Sequence, residues 1–219
     1  MDMKEAMYAR HMVRKYTDKP LEENVIEDLE NRVKENNDRM NLFIRLMVHD
    51  DHAVNALIGL ILARGVKNYF ILAGDDSSDL DEKLGYAAAD LMLYAQTLGL
   101  NTWYVGGTYN HSVSRFVEGK RAVGIIAVGY GKNSGKPHKS KKPSEVSVYK
   151  GNAPDWFVQG VEASLLAPTA LNKQEYMIIG EGSKVRINND NGIFTGVNRG
   201  LIRYHFELGA GRENFQWVE

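Results

Sequence analysis

The chain has 219 residues, 43% hydrophobic and 25% charged, and its 27 basic and 28 acidic side chains leave a net charge of -1. These proportions are ordinary for a globular protein with a real core, and near-neutrality removes any overall pull towards nucleic acid or anionic lipid, so anion binding must be local. The lack of cysteine excludes disulfides, thiolate nucleophiles, iron–sulfur clusters and Cys-based zinc sites.

The amino terminus carries Asp2 and Glu5 and no apolar run, so it does not read as a signal peptide. No segment approaches 18 apolar residues, and the expectation is a cytoplasmic protein without a nucleic-acid or membrane partner. Residues 3–9 read as a short helix. Arg10-His11-Met12-Val13-Arg14-Lys15-Tyr16 follows, and in an extended chain Arg10, Met12 and Arg14 would project from one side. Guanidinium forks in a row suit a phosphate; the alternative is a solvated basic surface.

Beyond Pro20, Val25, Ile26, Leu29 and Val33 mark an amphipathic helix, expected to end at Asn36-Asn37-Asp38. Residues 42–48 read as a strand with mixed faces, His49-Asp50-Asp51-His52 as a turn with local charges, and 53–62 as a short helix or a loop under the core. Residues 68–74 form a buried strand. The strongest helix spans 79–98, with Leu84, Ala87, Ala88, Leu91, Met92, Ala95 and Leu98 apolar on more than one side; Gly99 stops it. A strand over 102–105 enters Gly106-Gly107, a short helix covers 111–117, and the uncharged run after Arg121 reads as a central strand to Tyr130.

Residues 131–142 break the composition: five lysines with Gly, Ser, Pro and His and no acid, either a mobile basic connector or a phosphate contact. A helix at 155–166, a hairpin of 175–180 with 182–189, and a final helix at 197–208 complete the chain, with His205 on that helix reading as packed or interfacial. A faint echo pairs Gly85-Tyr86-Ala87 with Gly200-Leu201-Ile202, and Asp38-Arg39-Met40-Asn41 with Thr169-Ala170-Leu171-Asn172, which suggests two related layers.

Four pieces could build a site: the arginine run, the amide-bearing segment 167–174, the glycine pair that lets backbone N–H groups approach something flat, and the Lys139–Lys142 cluster. For 167–174 the local alternative is a turn in which Thr169 and Asn172 satisfy their own backbone. No phosphate loop, dinucleotide motif or Ser/His/Asp spacing is present, so any redox chemistry would fall to a bound cofactor.

Together these pieces resemble the FMN-dependent nitroreductases. Arg10 to Pro20 is similar to the opening signature Arg-Arg-Ser-x-Arg-x-Tyr/Phe with a following Pro, and Ala167 to Gln174 to the Pro-Ser-x-x-Asn-x-Gln segment. Gly85 to Leu100 looks like the long central helix, Val105-Gly106-Gly107 like the strand end beside the flavin, and Val128 to Pro143 like the closing strand and basic tail. The resemblance covers most of the chain. It implies an α+β fold with a central, mostly antiparallel sheet flanked by helices. It also implies one domain over 1–219 whose two similar halves, about 1–142 and about 143–219, are related by a pseudo-two-fold axis.

Two departures stand out. The Pro-Ser-x-x-Asn-type segment lies in the second half, as if two half-subunits were fused, which implies one FMN per chain and a monomer able to hold it, with a dimer left open. Met12 replaces the usual Ser, and no Trp follows Gln174.

The resemblance implies cofactor contacts from Arg10, His11, Met12, Arg14, Val105, Gly106, Gly107, Lys139, Lys141, Pro168, Thr169, Ala170, Asn172 and Gln174. Among these, Arg10, Lys139 and Lys141 would pair with the FMN phosphate. Arg14, the residue assigned to catalysis, would lie at the pyrimidine edge, and Thr169, Asn172 and Gln174 would hold the opposite edge and ribityl chain. The backbone at Val105-Gly106 would face the ring's N5 region. The implied activity passes hydride from NADH or NADPH through FMN to a flat acceptor such as a nitroaromatic or quinone. A flavin-binding carrier or sensor, suggested by Met12, and an anion-regulated interaction module docking through 131–142 are the alternatives.

Overall fold

The chain opens with a reciprocal cap. Glu5 donates its backbone N–H to Asp2 Oδ1 at 2.8 Å and Glu5 Oε2 accepts from Asp2 N at 2.9 Å, which fixes the first turn of α1 (Met3–Ala9). The computed structural model describes residues 1–54, 63–189 and 192–218. Most of the segment expected as a helix or loop over 53–62 lies outside them.

Helix α2 (Glu23–Met40) runs through Asn36-Asn37-Asp38, where the sequence suggests a stop, and ends at Asn41 in the left-handed region (φ 53°). Both asparagines are held by partners remote in sequence. Asn36 donates to Asp90 Oδ2 at 2.7 Å. Asn37 takes both backbone groups of Ile44, at 2.8 and 2.9 Å. That leaves Ile44 nothing to offer a neighbouring strand, so the strand expected over 42–48 shrinks to β1 (Arg45–Met47).

Next come β2 (Tyr69–Gly74), α3 (Leu80–Thr97), β3 (Asn101–Val105), a 3₁₀ helix at His111–Val117 and β4 (Arg121–Gly129). They form a four-stranded antiparallel sheet in the order β1-β2-β4-β3, with a bulge between Leu72 and Ala73. Both faces are covered, which explains the apolar runs. Phe70, Leu72, Ile126 and Val128 join the helical core, while Tyr69, Ile71, Ile125 and Ala127 pack with Tyr16, Trp103, Val113 and Val117 on the other side.

After residue 142 the chain makes α4 (Pro143–Val146), β5 (Ser147–Tyr149), α5 (Asp155–Ser164), a 3₁₀ turn at Ala170–Asn172, β6 (Tyr176–Glu181), β7 (Lys184–Asn189), α6 (Thr195–Ala210) and β8 (Gln216–Trp217). A second sheet results, β5-β6-β7-β8, whose central pair is antiparallel and whose outer pairs are parallel. All strands of the first sheet thus precede residue 131 and all strands of the second follow 146. Helix α3 is buried among the others, and its closest neighbour is α6. The two glycines of the sequence echo meet at that crossing: a Cβ on Gly85 would collide with Val197 O, and one on Gly200 with Glu82 O. Only backbone against backbone fits there.

Candidate functional site

Arg10 is where α1 ends and the chain turns extended (φ -73°, ψ 122°). The run is then pinned to β3 and to two loops: Val13 N donates to Thr102 O at 3.1 Å, Tyr16 N to Arg64 O at 2.9 Å, and Lys132 N to Lys15 O at 2.8 Å. Its alternating residues do not share one environment. Met12 is 48% exposed, Arg14 is half-buried with its guanidinium 5.2 Å from the Trp103 ring centroid, and Arg10 is only 6% exposed.

No carboxylate pairs with Arg10 among the described residues, and burial lowers its pKa to about 10. The groups that feel its charge are Tyr16 and two histidines. His205 on α6 is 1% exposed; its Nδ1 is bonded to Leu201 O at 2.8 Å and its Nε2 has no partner. Burial chiefly, then Arg10 and His138, push the His205 pKa down to about 3, so the ring is neutral. His11 is lowered for the same reasons, burial first and Arg10 second.

The basic segment 131–142 crosses this place rather than hanging free. Gly135, at φ +75°, passes the Arg10 run so closely that a Cβ would lie 2.7 Å from His11 Cβ. Further on, His138 Nε2 and Leu165 O are 2.8 Å apart, and Ser140 Oγ (3.3 Å) and Gln174 Nε2 (3.0 Å) donate to the same carbonyl. Lys141 N donates to Gln174 Oε1 at 2.7 Å, Lys141 Nζ to Gln174 O at 3.0 Å, and Asn172 Nδ2 to Lys139 O at 2.7 Å. The two amides read from sequence as ligand contacts therefore brace the basic segment. Gln174 is 1% exposed and spends both ends of its side chain on this. The Lys139 side chain stays exposed.

Between these braces the loop is strained: Leu171, Asn172 and Gln174 have φ of 52°, 53° and 51°. Ala170 N is held by Asn198 Oδ1 on α6 at 3.0 Å, and Thr169, 8% exposed after Pro168, keeps an unpartnered hydroxyl. At the third piece, Val105 is buried at the end of β3, and Gly106 faces Phe194 just before α6. A Cβ on Gly106 would sit 2.7 Å from Phe194 Cε1, and one on Gly107 3.5 Å from Phe194 Cζ.

The run at Arg10–His11, the basic segment and the 165–174 loop are thus brought together through His138. The β3 end is joined to α6 through Phe194. Among the described residues, seven buried side-chain polar atoms lack a partner: Arg14 Nε, Gln96 Oε1, Thr102 Oγ1, Tyr104 OH, Thr169 Oγ1, Tyr176 OH and His205 Nε2. Four of them, on Arg14, Thr102, Thr169 and His205, belong to the site or to the residues that touch it. Buried polar groups are nearly always paired, so these four atoms are unusual among the described residues.

The family model described as "Putative TM nitroreductase" matches residues 2–210. The chain belongs to this nitroreductase family. No curated protein matches it. Among solved structures, it is similar to a putative nitroreductase of Thermotoga maritima MSB8 at 20% identity, covering 100% of this chain and 89% of that one, with a TM-score of 0.71. A putative nitroreductase of Desulfovibrio desulfuricans, solved in complex with FMN, is 15% identical over 70% of this chain and 99% of its own, with a TM-score of 0.53. The NfrA1 nitroreductase of B. subtilis gives 17%, 69%, 74% and 0.51.

Family membership makes the chain a nitroreductase-type oxidoreductase, and the α+β fold with its antiparallel sheet is the one the resemblance implies. Among the described residues no helix is long and apolar enough to cross a membrane. His138, Phe194 and Thr102 were not legible as site residues. Each reaches the site only through a contact distant in sequence.

Proposed function

We propose that the chain is an FMN-dependent NAD(P)H oxidoreductase whose flavin phosphate is taken by Arg10. The observation that carries this reading is the buried guanidinium with no carboxylate beside it among the described residues. A charge drawn out of water costs several kcal/mol unless an opposite charge joins it, and charge-assisted hydrogen bonds to that partner contribute about 1.5–3 kcal/mol each. The donor set suits a phosphate. Arg10 offers a fork, Lys139 is exposed on the adjoining segment, and Lys141 retains two of its three N–H donors after bonding Gln174 O.

Arg14 Nε and the Thr169 hydroxyl, both unpartnered, would meet the polar edges of the ring system. A fixed cation such as Arg14 at the pyrimidine edge would stabilise negative charge there. Asn172 and Gln174 would act one step back, holding the basic segment in place. When bound, FMN supplies hydride transfer from NADH or NADPH to a flat acceptor such as a nitroaromatic or quinone. Because the arginine run, the basic segment and the 165–174 loop all come from one chain, we propose one FMN per chain with no obligatory second subunit.

The test is an absorption spectrum of the purified protein and an FMN titration, followed by anaerobic addition of NADH and NADPH. A yellow protein with one FMN per chain, bleached by a nicotinamide, is expected. A colourless protein that takes up no FMN sinks the reading, and bound flavin that neither nicotinamide bleaches points to a carrier, the reading that exposed Met12 favours.

A further inference from the structure

A cavity of 430 Å³ opens between the last turn of α2, the first turns of α3, the α6 face of Arg203 and Glu207, and the turn at Arg212. Such a volume is within the range of small-molecule sites. It is separate from the place where Arg10 meets α6. Residues 203 and 207 share one helical face, whereas His205, facing Arg10, points about 160° away from that face.

The lining has four cations, Arg39, Lys83, Arg203 and Arg212, against three acids, Asp79, Glu82 and Glu207. Every acid is already answered. Asp79 pairs with Lys83 at 2.8 Å, and Glu82 with Arg203 and, at 3.6 Å, with Arg199. Glu207 accepts from Tyr86 OH at 2.6 Å and Trp217 Nε1 at 2.7 Å, with Arg212 at 3.4 Å. Arg39 is left over. Its one bond goes to the neutral Asn36 Oδ1 at 2.8 Å.

The leftover charge is presented with flat surfaces. The Arg39 guanidinium lies 5.6 Å from the Tyr86 ring centroid, and Arg203 lies 4.9 Å from the Trp217 ring. Stacked arginines keep their in-plane donors pointing outwards, which suits a planar oxyanion. Met40 and Tyr86 add an apolar wall. We propose that this cavity binds a small planar organic anion, an aromatic body carrying one carboxylate or phosphate, with Arg39 as the anion contact. The site is independent of the flavin reading.

The experiment is a titration of the purified protein, as isolated, with benzoate, with AMP and with neutral benzamide, followed by tryptophan fluorescence at constant ionic strength. Trp217 is the reporter because it bonds Glu207 at the cavity edge, and Trp217→Phe should remove the signal. Saturable binding of benzoate or AMP is expected, whichever binds defining the anionic group, weakened at least tenfold in Arg39→Gln and less in Arg39→Lys. The Lys variant keeps the charge and guards against a folding artefact. Benzamide binding as well as either anion, no saturation with either, or unchanged affinity in Arg39→Gln would each overturn the proposal.

Discussion

Arg32 and Arg10 are both arginines drawn into the helical layer, and the protein treats them in opposite ways. Arg32 forks Asp90, with Nε to Oδ2 at 2.8 Å and the second nitrogen to Oδ1 at 2.6 Å. Asn36 and Tyr204 then donate to the two remaining oxygen sites at 2.7 Å each. The carboxylate, 1% exposed, is fully coordinated, and although burial alone would depress the Arg32 pKa, its hydrogen bonds to Asp90 leave it raised. Arg10 has no such answer, and burial lowers it to about 10. A closed charge pair is architecture. An open buried charge costs the fold free energy, and on the reading proposed above an anion would offset it.

That contrast breaks most violently at Asp90. Asp90→Asn keeps the shape but leaves Arg32, 28% exposed, with only Glu35 at 2.8 Å, so the loss should approach the lower end of the about 3–5 kcal/mol that breaking a buried pair costs. Denaturant unfolding should show that loss, with the slope unchanged. A loss under 1 kcal/mol would mean that the network is ornamental. Arg10→Gln should behave in reverse. It removes a buried charge with no partner, so stability without flavin should hold or rise, while FMN affinity falls by about 10–100-fold, the equivalent of ~1.5–3 kcal/mol. Loss of stability with unchanged flavin binding would exchange the roles assigned to the two arginines.

The sequence made some of this readable and hid the rest for a physical reason. Helix α1 was legible to the residue because its cap is local: Asp2 and Glu5 satisfy each other three positions apart. The apolar stripe of α3 and the buried strands β2 and β4 were equally plain. Asn36 and Asn37 read as a helix end since amides compete for backbone, but their partners, Asp90 and Ile44, exist only after folding. The arginine run was visible as a phosphate candidate, yet no local pattern says that Arg10 goes inside while Met12 stays out. Gln174 is the opposite case: an amide at the right spacing for a ligand, whose side chain turns inward and braces Lys141. The glycine pair at 106–107 signalled a close approach without naming the neighbour, which is Phe194.

The subtlest consequence of leaving Arg10 open falls on His205. Its pKa of about 3 in the folded protein lies below the usual 6.5 because burial, with help from the Arg10 and His138 charges, keeps the ring neutral. Between these values the unfolded chain takes up a proton that the folded chain refuses. The stability held above about pH 6.5 is therefore lost as pH falls towards 3, at roughly 1.4 kcal/mol per unit. At pH 5.5 the loss attributable to this residue is about 1.4 kcal/mol. His205→Leu removes the titration while filling similar space, so its stability should fall less between pH 8 and pH 5.5 than that of the unmodified protein. The difference between the two curves isolates His205 from His11, which titrates in the same direction. Parallel curves would mean that water reaches His205, and a wet histidine there would leave Arg10 wet too, ending the contrast with Arg32.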